Sequence, residues 1–304
     1  MLHRLSSLLL PLAICALWGI PFMAEAQGEP PLGAIPREDT FESARSLALG
    51  LGNRASSFGT GALAGNVANL AHLPIYDLEA AFSSVPQEKT FGIGGAIVDA
   101  KTSQSIAAGI MARGVIGNRE RDYNGYDLKV GLSVPIANRL SIGVAGRYLK
   151  FNANREDQNG DPIGPDVRGF TLDAAVRVMI VQGLHIAAIG ENLVNRESSL
   201  VPQRFGGGVA YNFKRMFDGG FDLLADFSTF RTTQLLMGSG AEYVLLDKVP
   251  LRAGWRGDLG RGIHALTAGV GYDSQKVSIA FSMRHEFHTF GETYLLLSLL
   301  GHIP

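Results

Sequence analysis

The sequence has almost no cysteine, little charge and no long hydrophobic run beyond its first residues. Cys15 is the one cysteine in 304 residues, so no disulfide framework can hold the fold. Charged residues make up 18%, below the roughly 25% usual in soluble domains. A net charge of −1 leaves no basic surplus for nucleic acid or anionic lipid, and no nucleic-acid partner is expected. After the N-terminal stretch, nothing approaches the roughly 20 apolar residues of a membrane-spanning helix. Disorder is excluded too, because 46% of residues are hydrophobic. Glycine is abundant, at 38 residues. Much glycine with little charge suits a β-rich chain with many turns, or a membrane barrel.

The early apolar run reads as a secretory signal. His3 and Arg4 give a basic start, Leu8 to Phe22 the apolar stretch, and Ala24-Glu25-Ala26 a small-x-small cleavage site. Residues 1–26 would be removed, Cys15 with them. A lipoprotein reading of Leu12-Ala13-Ile14-Cys15 competes, but it meets Ile14 where a small residue is wanted. Pro11, Pro21 and the short span count against an uncleaved anchor. An exported, apolar, glycine-rich chain without helical spans is a periplasmic β domain or a barrel in the outer membrane of a Gram-negative envelope.

From about Ile75 onward, apolar residues alternate with polar or small ones. Tyr126, Leu128, Val130, Leu132 and Val134 point one way, and Asp127, Lys129, Gly131 and Ser133 the other. About fourteen such runs follow one another: 75–82, 90–98, 105–114, 125–134, 140–151, 169–180, 184–192, 204–213, 221–228, 235–246, 249–256, 263–272, 276–284 and 292–300. Alternate links are short, such as Pro135 to Arg139. The others are longer and more polar, above all Asn152 to Arg168, which reads as an external loop. Lys214 to Gly220 is longer than that rule wants.

The two faces favour a barrel over a sandwich. The polar face carries Arg113, Lys129, Arg147, Arg177, Arg204, Arg252, Arg256, Lys276 and Arg284, against Asp77, Glu79, Asp127, Asp173, Glu191, Asp222, Asp226 and Glu242. These nearly cancel and are interspersed with Gly, Ala and Ser, as expected of a lumen with cross-strand ion pairs. The apolar face ends in aromatics at Tyr76, Phe82, Phe91, Tyr148, Phe151, Tyr211, Phe213, Tyr243, Trp255 and Tyr272, the pattern of girdles at a bilayer interface. Outer-membrane lipid is then the first partner.

Residues 27–74 differ. After Pro30, Pro31 and Pro36 they turn Gly/Ala-rich without strict alternation, and Ser43 to Leu49 suits a short helix. Such a stretch before the first strand can fold back and plug the lumen. Gly92, Gly94, Gly206 and Gly208 would leave room for it. The expected organisation is a signal peptide (1–26), a plug (27–74) and an all-β antiparallel transmembrane barrel of about fourteen strands (75–304).

Three features resemble the FadL-type superfamily of outer-membrane proteins. One is Leu47 to Leu73, with Asn66-Val67-Ala68-Asn69-Leu70-Ala71 leading toward the first strand; Val67 stands where many relatives have proline. Another is Val249-Pro-Leu-Arg-Ala-Gly-Trp255 followed by Leu266-Thr-Ala-Gly-Val-Gly-Tyr272. The third is the strand count. The resemblance implies a fourteen-stranded barrel plugged by its N-terminal segment. Passive passage of hydrophobic small molecules is the leading function it implies. A PorV-like, non-transporting subunit of an envelope or secretion complex is the alternative, with proteins of that complex as partners.

No enzyme chemistry stands out. Gly50-Leu51-Gly52-Asn53-Arg54-Ala55 follows no βαβ unit, so it reads as a flexible turn rather than a dinucleotide fingerprint. His285-Glu286-Phe287-His288 lacks the histidine spacing of a zinc helix. There is no GxSxG, and no Ser, His and acid group suggests itself. Neither catalytic residues, nor a metal, nor a cofactor is expected. The candidate lumen or ligand residues are Leu49, Leu51, Phe58 and Leu63, with Arg113, Lys129, Arg147, Asp173, Arg177, Asp226, Arg252 and Arg256. The charges can line a polar pore or neutralise one another. The leucines can pack the lumen or frame a greasy pocket.

Overall fold

Period-two alternation over long stretches cannot bury one face in a single open sheet, and here the sheet closes on itself. The computed structural model describes residues 42–117, 123–153, 155–156, 162–163, 167–194, 201–214, 216–230, 232–287 and 291–303. The signal-peptide assignment and residues 27–41 lie outside them. The wall strands are Tyr76–Val85 (β1), Thr90–Asp99 (β2), Ala107–Ile116 (β3), Tyr123–Ala137 (β4), Leu140–Ala153 (β5), Val167–Val181 (β6), Leu184–Glu191 (β7), Arg204–Phe213 (β8), Phe217–Asp226 (β9), Gln234–Leu245 (β10), Val249–Asp258 (β11), Ile263–Asp273 (β12), Val277–Phe287 (β13) and Thr293–His302 (β14). Each pairs antiparallel with its sequence neighbours, and β14 closes onto β1 with Asp77 opposite His302. Within the β5–β6 link, 155–156 pair with 162–163.

Both chain ends of the barrel lie at the end that carries the shorter turns. There β4–β5, β6–β7, β8–β9, β10–β11 and β12–β13 are joined by two or three residues each. The β10–β11 turn is built from Leu246 and Asp247, both at positive φ, as a tight hairpin turn requires. At the opposite end the β5–β6 and β7–β8 links are the long ones.

The side chains sort by parity. Val130, Ile142, Val176 and Phe281 are exposed on the outer wall, and Val209 is half-exposed there. The opposite parity is buried: Arg113, Lys129, Arg147, Arg177 and Asp222 face inward. An apolar outer band around a charged interior is stable only where the outer solvent is hydrocarbon. Ile142→Arg is expected to lower the folded yield in bilayers by about 2–4 kcal/mol if it lies near the midplane, read as loss of the heat-resistant barrel band. Ile142→Leu should be neutral. Ser141 is no control for a luminal charge, because it is buried and sits opposite Arg177.

Three sequence readings change. The ninth strand begins at Phe217, not Phe221, so the apparently long link shrinks to 214–216. Its glycines resemble a turn, but Gly219 lies beside the Phe217 ring and Gly220 faces the Gly52 carbonyl. Phe151 leaves the aromatic girdle: it is fully buried inside with Val115, Leu149, Val167 and Val201. Lys276 is exposed in the β12–β13 turn and is not part of the inner face.

Candidate functional site in the barrel lumen

Residues 42–74 lie against the inner wall. Ser43 starts a helix, Ala44–Ala48 (α1), its Oγ accepting from the Ser46 N–H at 3.1 Å. Gly50 and Leu51, both at positive φ, then reverse the chain. A second helix, Gly59–Gly65 (α2), leads to a 3₁₀ turn at Val67–His72, which Asn66 caps by accepting from the Ala68 N–H. Asn66 and Asn69 both donate to the Arg54 carbonyl, at 2.7 and 2.8 Å, tying the reversal to the 3₁₀ turn.

The segment meets the wall backbone to backbone. A Cβ built on Gly240 would lie 2.5 Å from the Leu49 carbonyl oxygen, one on Gly254 2.6 Å from the Leu49 carbonyl carbon, and one on Gly143 2.6 Å from the Ala68 nitrogen. Only glycine permits that approach. Gly92, Gly94, Gly206 and Gly208 serve otherwise, since the space a Cβ would take is filled by Ser83, Arg113, the Leu223-Leu224 backbone and Asp222.

Three charged residues of the segment hold it. The Glu42 carboxylate is 2.6 Å from Arg256, and its carbonyl accepts from Arg113 at 2.9 Å. Arg45 reaches Asp218 at 3.0 Å and Glu242 at 3.2 Å, with its guanidinium 5.0 Å over the Phe58 ring. Burial works against the Arg45 charge, but Glu242 and Asp218 outweigh it and raise its pKa above the ordinary value. Arg54 pairs with Glu191, and its N–H donates to Asp222 at 2.9 Å.

The candidate residues fall into separate groups. Leu51, Lys129, Arg147, Asp173 and Arg256 line one cavity of about 60 Å³, with Glu42, Arg54, Asp127, Glu191 and Arg204. That volume holds a few waters, and its charges are coupled: Lys129 to Asp173 at 2.6 Å and Arg147 to Asp127 at 2.8 Å. Leu49 is buried between the segment and the glycines of β10 and β11. Leu51 packs on Leu224 and Leu236. Leu63 belongs to a cluster with Val67, Leu70, Val98 and Met111. Phe58 is 40% exposed. Arg252 pairs with Glu242, and Asp226 with Arg204 at 3.6 Å while capping the turn after β9. Arg177 stands apart, beside His72 and His185.

Sequence reasoning did not single out Arg45, Arg54 or His72 as contacts, although lone charges in a small, apolar stretch were a usable signal. Nor did it find a Ser, His and acid group, yet His302 lies 2.7 Å from Asp77 through Nδ1 and 2.8 Å from Ser278 through Nε2. With its proton on Nδ1, His302 donates to Asp77 and accepts from Ser278. The relay crosses β13, β14 and β1, and so ties the seam where the barrel closes.

His72 gives the segment a pH response. Burial, then Arg177 and His185 beside it, push its imidazole down from 6.5 to about 3. Docked, the ring stays neutral; undocked, it takes a proton at higher pH. This contribution to docking is complete above 6.5 and is lost as pH falls toward 3. Limited proteolysis of the segment should accelerate below about pH 6, and less so in His72→Gln.

No protein-family model matches the chain, and no curated protein sequence does. Solved structures do match. The CymD monoaromatic hydrocarbon channel aligns with a TM-score of 0.64 at 11% identity, over 86% of this chain and 97% of that one. The toluene transporter TodX of Pseudomonas putida gives 0.55 at 13%, and a Pseudomonas aeruginosa FadL homologue 0.56 at 9%, each over 86% of this chain and 98% of the other. The chain has the FadL-type fold. Within that fold, Leu47 to Leu73 falls in the inner segment, and Val249–Trp255 and Leu266–Tyr272 are paired neighbours on β11 and β12.

Proposed function

We propose that this chain is exported, loses residues 1–26, and lets hydrophobic small molecules cross a Gram-negative outer membrane passively. Residues 27–74 act as plug and gate, and residues 75–304 as the barrel. The observation that carries this reading is a segment lying along the lumen of a FadL-type barrel, held by ion pairs and glycine contacts that can be broken without unpairing a strand. Two proteins of this fold are a monoaromatic hydrocarbon channel and a toluene transporter.

Cavity size adds to the reading. Drug-sized ligands occupy about 300–1,000 Å³, far more than the roughly 60 Å³ beside Arg54. Passage through that cavity therefore needs a shift of the segment. Apolar groups inside the wall at the long-link end, Val115, Leu149, Phe151, Val167 and Val201, suit a hydrophobic visitor better than an ion.

The test is uptake of toluene and of a sugar of similar size into cells with and without the protein. Toluene uptake should rise and sugar uptake should not. Equal rises would make this a general pore. No rise in either would favour the sealed, PorV-like alternative.

A further inference from the structure

Arg177 is 5% exposed, yet no carboxylate among the described residues lies within ion-pair distance of it. The buried arginines Arg54, Arg147, Arg204 and Arg252 all have one. Arg177 instead donates through Nη2 to His185 Nδ1 at 2.8 Å and His72 Nε2 at 3.2 Å, and its Nε–H has no partner. Ser141, its register partner on β5, also carries a buried hydroxyl with no partner. Two orphaned donors thus stand side by side around one uncompensated cation. Desolvating a charge this way is unfavourable unless an opposite charge joins it.

We propose that Arg177, Ser141, His72 and His185 form a binding site for a carboxylate anion at the short-turn end of the lumen. The Nε–H is left to donate to one oxygen of a carboxylate, since both Nη2 hydrogens go to the imidazoles. The Ser141 hydroxyl gives a second donor on the neighbouring strand. Charge fits as well: with both imidazoles neutral and accepting, the site carries one positive charge, which a monocarboxylate balances. A phosphate dianion would leave a surplus negative charge. His72 is only half-buried, and exposed Leu73 and Pro74 follow it, so the site lies at a mouth rather than in the sealed middle. The inference stands apart from the transport reading, because a neutral hydrocarbon has no use for such a site.

The test uses the purified full-length protein in detergent and sodium acetate as the probe, followed through the imidazole NMR resonances of His72 and His185. Saturable shifts of both rings are expected. Arg177→Gln should weaken acetate binding at least about tenfold, and Ser141→Ala by several-fold. Should Arg177→Gln fail to fold, Ser141→Ala and Arg177→Lys decide. The site is overturned if acetate moves neither ring, or if folded variants bind it as wild type does. Tighter binding of inorganic phosphate than of acetate at neutral pH would overturn the carboxylate assignment.

Discussion

Deleting Ser43–Leu63 should raise conductance in planar bilayers at least about tenfold while the barrel stays heat-resistant. The deletion removes α1, the chain reversal and most of α2. It leaves every wall strand with both neighbours, because β1 pairs with β2 and β14 without help from the segment. Fourteen strands enclose more space than the eight of a side-chain-filled barrel, so a water-filled lumen should result. Selectivity gives a second readout. Asp218 and Glu242 lose Arg45, and Asp222 and Glu191 lose Arg54, so the opened lumen should prefer cations. An unchanged conductance in a folded deletion variant would show that the segment is not what closes the barrel. Loss of the heat-resistant form would show that the wall depends on it.

Gly240→Val should displace the segment without deleting it. The new side chain collides with the carbonyl and Cα of Leu49. Leu49 has little room to yield, because Gly50 presses on the Trp255 backbone and Gly254 lies behind Leu49. β10 is bonded on both sides, to β9 and β11, so the less firmly held partner moves. Overpacking of this kind costs about 1–3 kcal/mol. Protease cleavage at Arg45 and Arg54 should speed up, and conductance should fall between wild type and the deletion. Gly301→Ala is the control, since nothing lies within 4 Å of the Cβ it would add. Equal protease resistance in Gly240→Val and wild type would contradict the glycine-contact account.

The wall was legible because it is written locally. Period-two alternation registers strand by strand, and nearly every run matches an observed strand within a few residues. Gly219-Gly220 misled because glycine reads as a turn, whereas here it lets the wall approach the Gly52 carbonyl. Phe151 misled because an aromatic at a strand end suggests a girdle, but its parity with Arg147 points it inward. The inner contacts were not legible. Arg45 and Glu242 are 197 positions apart, as are Asp77 and His302 by 225. Neither periodicity nor spacing links residues across such distances; only barrel closure does. The near-cancellation of luminal charge was readable, but the pairing was not, and so Arg177, a buried cation with no carboxylate within ion-pair distance among the described residues, could not be told from its paired neighbours.

The central claim is that the segment must move for a hydrophobic molecule to pass. A Cβ built on Gly269 lies 2.6 Å from the Ala48 Cβ, so a small outward relaxation reaches the roughly 3.8 Å Cβ separation of a disulfide. Loss of Cys15 with the signal peptide would leave the pair Ala48→Cys and Gly269→Cys without competing thiols. Toluene flux into proteoliposomes through this double variant, oxidised and then reduced, is the most direct measurement. The account predicts negligible flux when the tether is closed and flux of at least the wild-type level after reduction; equal flux in the two states would contradict it.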